Sequence, residues 1–484
     1  MLALVNANRM VPPIAPVGLE YVAGAARKAG IDVEVVDLSL ADDPVKTLQD
    51  YFAVSSPHLV GISFRNVDDC FWPSGEWFAP ELSQTIRKIR ALSDAPIVLG
   101  GVGFSIFAGR IVDYTGADFG IRGDGEEAIV LLYNALCGVK DFAKIDGLIW
   151  RRNGAICSNE PTWPSPLSLS TSRDMIDNRA YFNRSGQCGV ETKRGCNRSC
   201  VYCADPIAKG TKIRLRKPAE IADEVESLLA QGIDVLHLCD SEFNIPRDHA
   251  YAVCEEFIRR SLGEKVRWYT YMAVVPFDVE LAQAMRKAGC VGIDFTGDSA
   301  SSAMLKAYRQ THRPDDLGAA VRLCREHGIT VMVDLLLGGP GETADTIAET
   351  IDYIKKIGPD CAGAPLGIRV YPGTEMARVV ANEGPPDKNP NIRRRYTDQV
   401  DFFQPTFYIS HELGSRPAKV VRDLIGGDQR FFAPMDEVWD GGASTDHNYN
   451  DNTQLVEAIS RGARGAFWDI LRGLRNDDKR NHMG

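Results

Sequence analysis

The sequence of 484 residues has no long apolar run, and this absence limits the class of protein that it can encode. No stretch approaches the roughly 18 consecutive apolar residues of a membrane-spanning helix. Residues 1–6 also lack the basic flank and the cleavage site of a secretory signal. We therefore expect a globular cytoplasmic protein without a membrane partner, and a hydrophobic content of 44% is sufficient for packed cores.

Basic residues are also fewer than acidic residues. The chain has 55 Lys and Arg against 65 Asp and Glu, which gives a formal net charge of −10. Because nucleic-acid binding normally needs a basic face, this balance argues against a nucleic-acid partner.

The 12 cysteines are mostly scattered, and only one group is tightly spaced. Cys196, Cys200 and Cys203 follow the pattern C-x₃-C-x₂-C. No second pair of Cys or His lies near enough to complete the four ligands of a usual zinc site. Three thiolates can instead hold three irons of a [4Fe–4S] cluster and leave the fourth iron open. We expect the other cysteines to be reduced and mostly buried.

The run around these cysteines, residues 193–206, resembles the radical S-adenosylmethionine (SAM) enzymes, including the aromatic Tyr202 before the last cysteine. In that family the open iron binds the amino and carboxylate groups of SAM, and the cluster donates an electron to the sulfonium. The resemblance therefore implies a [4Fe–4S] cluster with Cys196, Cys200 and Cys203 as metal ligands. It also implies SAM and an external electron donor of the flavodoxin or ferredoxin type.

Residues 1–140 alternate short apolar strands with amphipathic helical runs, which predicts βαβ units and a parallel, Rossmann-like sheet. The predicted strands are residues 2–5, 33–36, 60–64, 97–99 and 119–121. Such a sheet binds ligands beyond the carboxyl ends of its strands. No G-x-G-x-x-G opens the first helix, which argues against a dinucleotide.

The loops after these strands are rich in glycine, which lets a backbone approach a ligand closely. Together they resemble the cobalamin-binding domain that precedes many radical SAM domains. The alternative is a degenerate Rossmann domain that only supports the rest of the chain. The resemblance implies cobalamin contacts from Pro12, Arg65, Asn66, Gly100, Gly101, Gly103, Phe104, Gly123, Gly125 and Glu126.

The loop after the first strand departs from one known pattern. Cobalamin domains of the methionine-synthase type place D-x-H-x-x-G there, and the histidine binds cobalt from below, but this loop has no histidine. His58 precedes the third strand, at the wrong end of the sheet, so we expect a surface residue. Arg65 is our candidate for the lower face, because a guanidinium has no lone pair to donate. An ordinary ion pair for Arg65 is equally open.

A second series of strands and helices spans residues 186–395, after a connector at residues 141–185. Its six predicted strands are residues 190–192, 235–239, 267–271, 292–295, 330–336 and 366–370. This series resembles the partial (β/α)₆ barrel of radical SAM enzymes, with the chemistry at the carboxyl ends of the strands. Residues 396–484 are predicted to form a small C-terminal region that packs across the barrel mouth.

The ends of the predicted barrel strands supply candidate SAM contacts. Ser241 and Glu242 follow the second strand, where a carboxylate can bind the SAM ammonium. Asp298, with Asp294 as second choice, could accept the ribose hydroxyls, and capping of the next helix is the alternative for Asp298. Leu337 lies in an apolar run suited to adenine.

Arg369 and Tyr371 alternate with apolar residues at the end of the sixth predicted strand. Side chains two residues apart in a strand share a face, so we name both as candidate catalytic residues facing the substrate cavity. A structural role in the barrel wall is the alternative.

Cobalamin next to a SAM-cleaving barrel implies a methyltransferase that acts on a carbon of a small molecule, such as a specialised metabolite. In such enzymes a 5′-deoxyadenosyl radical removes a hydrogen and the substrate radical takes the methyl group; transfer of the methyl as a cation equivalent is a variant. The second hypothesis is cyclisation or rearrangement without methyl transfer. The third is a binding or sensing module.

Overall fold

The computed structural model describes residues 1–139, 141–396, 401–435 and 449–482, with side chains described up to residue 476. A seven-stranded sheet forms the first domain. Its first five strands are parallel, and a hairpin from the predicted connector adds two antiparallel strands at one edge. In chain order the strands are Leu2–Asn6, Val33–Asp37, Leu59–Ser63, Ile97–Gly100, Phe119–Ile121, Leu148–Arg152 and Ala155–Ser158.

Helices cover both faces of this sheet, which explains why every residue of the strand Leu2–Asn6 is buried. The helices of the domain are Val17–Lys28, Pro44–Val54, Ala79–Leu92, Val102–Ile106, Ala108–Thr115 and Glu126–Cys137. Loops at the carboxyl ends of its strands line a cavity together with residues of the second domain.

The second domain is an open parallel sheet of seven strands. Its strands are Cys188–Val190, Val235–Leu238, Arg267–Met272, Cys290–Asp298, Thr330–Leu335, Cys361–Gly363 and Phe431–Phe432. Its principal helices are Pro218–Ala230, Arg247–Arg259, Val279–Lys287, Pro314–Glu326, Ala344–Ile357 and Pro417–Ile425. The first six strands form the predicted partial barrel, and the last is a short addition at the open edge.

The sixth barrel strand is Cys361–Gly363, so its predicted position at residues 366–370 is wrong. The run is hard to recognise because its residues are small. A Cβ on Gly363 would lie 2.3 Å from Oδ1 of Asp334 on the neighbouring strand, so nothing larger fits. Ile368–Arg369 belongs instead to a small antiparallel sheet with Ile392–Arg394 and Thr406–Tyr408.

The C-terminal segment contributes to both domains. Its last two described helices are Thr453–Ser460 and Phe467–His482. Phe403 packs in the core of the first domain, with its ring centroid 5.3 Å from that of Trp77. Among the described helices, none is long and apolar enough to cross a membrane.

Candidate active site between the domains

A cavity of about 690 Å³ lies between the carboxyl ends of the two sheets. Both domains line it, because parallel sheets present their loops at one edge. On the first-domain side the cavity extends between the sheet and the helices Val17–Lys28 and Glu126–Cys137. The apolar residues of this part are Leu4, Val22, Ile62, Val98, Leu99 and Ile129.

The loops at the mouth of this part are fixed by close backbone contacts. Gly101 has φ of +109°, and a Cβ there would lie 2.7 Å from the carbonyl oxygen of Phe64. The amide of Gly103 donates to the carbonyl oxygen of Arg65 at 2.8 Å. These contacts hold the loop that carries Arg65 against the glycine-rich loop.

Arg65 presents its guanidinium to the cavity. The Nη1 atom of Arg65 donates to Oδ1 of Asn66 at 2.9 Å. No carboxylate of the described residues lies within 4 Å of the guanidinium, so among these residues Arg65 does not form the ordinary ion pair that was the alternative. Burial lowers the pKa of this guanidinium. His58 lies at the other end of the sheet, where its ring contacts the amino group of Met1 at 3.2 Å.

The three cysteines predicted as cluster ligands lie in one loop between the strand Lys193–Arg194 and the helix Asp205–Lys209. Burial raises the pKa of each thiol, to about 11 for Cys200, so thiolates are stable there only when a metal binds them. No group of three metal-binding side chains in the described residues is close enough for a single ion. A four-iron cluster separates its ligands further than one ion does.

Asp298 lies beside this cluster loop. The hydroxyl of Tyr202 donates to its Oδ2 at 2.6 Å, and Gln310 donates to the same oxygen and to Sγ of Cys200. Burial raises the pKa of Asp298 to about 7. The helix-cap alternative is wrong, because the next helix begins at Ser302 after Ser301.

Glu242 also lies close to the cluster loop, as the charge coupling between its carboxylate and the thiol of Cys196 shows. Thr296 donates to its Oε1 at 2.9 Å, whereas the buried Oε2 has no hydrogen-bond partner among the described residues. Such an unpaired oxygen fits a group that a ligand completes. Burial raises the pKa of Glu242 to about 8. Ser241 lines the cavity and donates to Asp205.

Two further carboxyl groups line the barrel end of the cavity, on adjacent strands. Burial raises the pKa of both Asp294 and Asp334, to about 6 for Asp334, and the charge of Asp334 raises the pKa of Asp294 further. Aromatic side chains surround this end of the cavity. They are His237, Tyr271, Tyr449, Phe467 and Trp468.

Arg369 and Tyr371 lie outside the lining of this cavity, which corrects the expectation that they face it. Arg369 is buried, and its Nε donates to Oδ2 of Asp68 in the first domain at 2.9 Å. Tyr371 donates to Sγ of Cys70 at 3.5 Å. Both residues join the domains, because Arg369 belongs to the small antiparallel sheet and Tyr371 follows that strand.

Comparison with known proteins agrees with this two-part site. The model of the radical SAM superfamily matches residues 190–354, and that of the B12-binding domain matches residues 4–132. A similar solved structure is TsrM from Kitasatospora setae, a radical SAM methyltransferase with tryptophan and a SAM analogue bound. Its sequence is 31% identical to this chain, and the two structures superpose with a TM-score of 0.91. The alignment covers 100% of this chain and 99% of that chain. The tryptophan 2-C-methyltransferase of Streptomyces laurentii is 29% identical over 96% of this chain and 95% of its own.

This chain belongs to the cobalamin-dependent radical SAM methyltransferases. It is a C-methyltransferase that acts on a small molecule, and its cofactors are a [4Fe–4S] cluster, SAM and cobalamin. The first hypothesis is therefore confirmed over cyclisation and over a sensing module. The cobalamin enzyme OxsB has the same fold, with a TM-score of 0.70 at 15% identity over 84% of this chain and 64% of its own.

Most of the residues predicted to contact cobalamin line the cavity of this methyltransferase. Arg65, Asn66, Gly100, Gly101, Gly123, Gly125 and Glu126 line it. Pro12, Gly103 and Phe104 do not, and neither does Leu337, which is fully buried in the barrel core. Phe104 packs under the sheet, where a Cβ on Gly120 would lie 2.1 Å from its ring. These four residues shape the walls without facing the cavity.

Several lining residues received no role from the sequence. Asp334 could have been identified from the sequence, because a carboxylate in an otherwise apolar barrel strand is unusual. Charged side chains are rarely buried, so its position indicates a function. Tyr449 and Trp468 carried no such signal. They lie more than 100 residues after Asp334 in the chain, and only the tertiary fold brings them to the cavity.

Proposed function

We propose that this enzyme methylates a carbon of an indole-bearing small molecule, the class to which tryptophan belongs. The aromatic wall of the barrel end is the observation that carries this proposal. The rings of His237 and Tyr271 have centroids 4.8 Å apart, and those of Tyr449 and Phe467 are 5.7 Å apart. Tyr271 retains 40% exposure although protein surrounds it, because it borders the cavity. Such a wall stacks on a flat aromatic ring.

Similarity along the whole chain supports the same substrate class. TsrM, with 31% identity, was solved with tryptophan bound. Indole is a flat aromatic ring system, and a cavity lined by several aromatic side chains favours it by stacking.

We assign the cofactors to the residues that fit them. Cys196, Cys200 and Cys203 hold the cluster, with Glu242 and Asp298 beside it for SAM. Arg65 and the glycine loops would hold cobalamin, and Arg65 would place a positive charge without a lone pair beside it. When bound, cobalamin would supply a carrier for the methyl group, SAM its source and the cluster an electron-transfer centre. An external donor of the flavodoxin or ferredoxin type reduces the cluster.

Isotope transfer in the reconstituted enzyme tests the substrate class. The protein, loaded anaerobically with iron, sulfide and cobalamin, is incubated with SAM that carries a trideuterated methyl group. Tryptophan, indole and tryptamine are compared with phenylalanine and with aliphatic amino acids by mass spectrometry. We expect the labelled methyl group on an indole ring. Label on a non-aromatic compound, with none on any indole, would contradict the proposal.

A further inference from the structure

We propose that Asp294 and Asp334 form a cation subsite that binds the amino group of the substrate. This inference deepens the function proposed above and rests on it for the rest of the substrate. It predicts that the substrate is an aromatic amine or amino acid rather than a neutral arene.

The two carboxyl groups lie side by side inside the barrel. Asp294 is on the strand Cys290–Asp298, Asp334 is on the adjacent strand Thr330–Leu335, and both line the cavity. Asp294 is only 4% exposed, and its Oδ1 has no hydrogen-bond partner among the described residues. Gly363 on the next strand leaves the space that the carboxyl of Asp334 occupies.

Nothing in the described protein neutralises this pair. No lysine, arginine or histidine nitrogen of the described residues lies within 4 Å of either carboxyl. Two carboxylates on adjacent strands repel each other when both are charged, so the pair favours sharing one proton, in accordance with their raised pKa values. A buried ammonium group can replace that shared proton, since it offers three donors and one positive charge.

The surrounding aromatic rings favour the same ligand. The phenol groups of Tyr271 and Tyr449 lie close enough to the pair for its charge to raise the pKa of both. Aromatic faces attract an ammonium group, and they also hold the flat part of the substrate next to it. The subsite therefore combines a charge and a stacking surface in one place.

The pair is distinct from the groups assigned to SAM. Glu242 and Asp298 are coupled electrostatically to thiols of the cluster loop. Asp294 lies beside Tyr271, its partner on the adjacent strand, and the pair interacts electrostatically with Glu242 and Asp298, which border it on the side of the cluster loop. Asp294 lies four residues before Asp298 on the same strand, farther from its carboxyl end, so the pair remains available to the substrate when SAM occupies the site beside the cluster.

Calorimetric binding to the reconstituted enzyme tests the subsite without turnover. Tryptamine and 3-ethylindole have the same ring and two-carbon arm, and only tryptamine carries an amine. We expect tryptamine to bind at least about tenfold more tightly, the usual worth of a charge-assisted hydrogen bond. Asp294→Asn and Asp334→Asn should remove this preference and leave the affinity for 3-ethylindole unchanged.

Glu342→Gln is the matched control. Glu342 is fully buried after the same strand, and burial raises its pKa to about 7, but it lies outside the cavity lining. This variant should keep the preference for tryptamine. Retained binding of 3-ethylindole shows that a variant is folded.

Equal binding of the two probes to the unaltered enzyme would overturn the proposal. The proposal would also be wrong if the aspartate variants bound SAM less tightly but still preferred tryptamine to 3-ethylindole. A third probe, 2-phenylethylamine, separates the two proposals. If no indole compound binds but this amine binds and Asp334→Asn abolishes its binding, the indole assignment fails and the subsite stands. If the amine also fails to bind, the subsite is wrong.

Discussion

Replacing Arg173 with methionine tests how the two domains are held together behind the cavity. Arg173 has no solvent exposure; its Nε donates to Glu20 of the first domain at 2.5 Å and its Nη1 to Glu224 of the barrel at 2.7 Å. Removing one partner from a buried pair costs about 3–5 kcal/mol. Glu224 keeps Arg216 at 2.7 Å, so only Glu20 loses its cation. We therefore expect a loss of about 3 kcal/mol in the free energy of unfolding.

Urea unfolding followed by circular dichroism measures this loss, and its pH dependence identifies the cause. Burial raises the pKa of Glu20, and loss of Arg173 raises it further, so stability falls as pH rises above the unfolded value of a glutamate. The loss should be larger at about pH 8 than at about pH 5. Glu20→Gln combined with Arg173→Met should restore most of the stability.

Arg27→Met is the control for this experiment. Arg27 lies on the same helix as Glu20 and pairs with Asp174 at 2.7 Å, but both side chains are about half exposed. An exposed pair is worth at most about 1 kcal/mol. If Arg173→Met cost no more than this control, or if its cost were independent of pH, the buried charge of Glu20 would not be the cause.

Three further predictions concern the cofactors. Alanine at Cys196, Cys200 and Cys203 together should remove most of the cluster iron, and full iron content in this variant would refute the ligand assignment. Electron paramagnetic resonance of bound cob(II)alamin should show no nitrogen splitting from a protein histidine; His58→Ala should leave the spectrum unchanged, and Arg65→His should introduce a splitting. Because an indole carbon is electron-rich and Arg65 favours methyl transfer as a cation equivalent, each methylated product should come with one S-adenosylhomocysteine but no matching 5′-deoxyadenosine. Equal amounts of product and 5′-deoxyadenosine would instead support the radical route.

The predictable parts of the site are those encoded in continuous sequence or in parallel topology. The cluster cysteines lie within eight residues, so one loop brings them together. The glycines at 100 and 101 follow a buried strand, and the carboxyl ends of parallel strands meet at one edge of a sheet. Both inferences depend on short-range pattern and on a general rule of topology, and neither requires knowledge of side-chain packing.

The remaining parts depend on contacts between distant segments. Arg369 and Tyr371 do lie side by side, with the guanidinium 4.8 Å from the ring centroid of Tyr371, but Arg369 belongs to a sheet formed with Thr406–Tyr408, which the sequence pattern did not indicate. The sixth barrel strand was missed because Cys361–Gly363 has only three residues and all of them are small. The side chain of Asp334 fills the space where a larger residue at Gly363 would lie. In each case a side chain from another segment decides the local structure, so alternation alone could not place these residues.

Residues after the fifth strand of the first domain fix the position of the first domain relative to the cluster loop of the barrel. Glu126 pairs with Arg194 at 2.9 Å, and Asp124 pairs with Arg194 and Arg214 of the barrel. Arg194 is followed after one glycine by Cys196, so these pairs connect a cobalamin-side loop directly to the cluster loop. Buried ion pairs contribute little net stability, but their fixed geometry can define a single arrangement. Methyl transfer depends on that arrangement, because the cofactors bind to different domains and only the interface sets the distance between them.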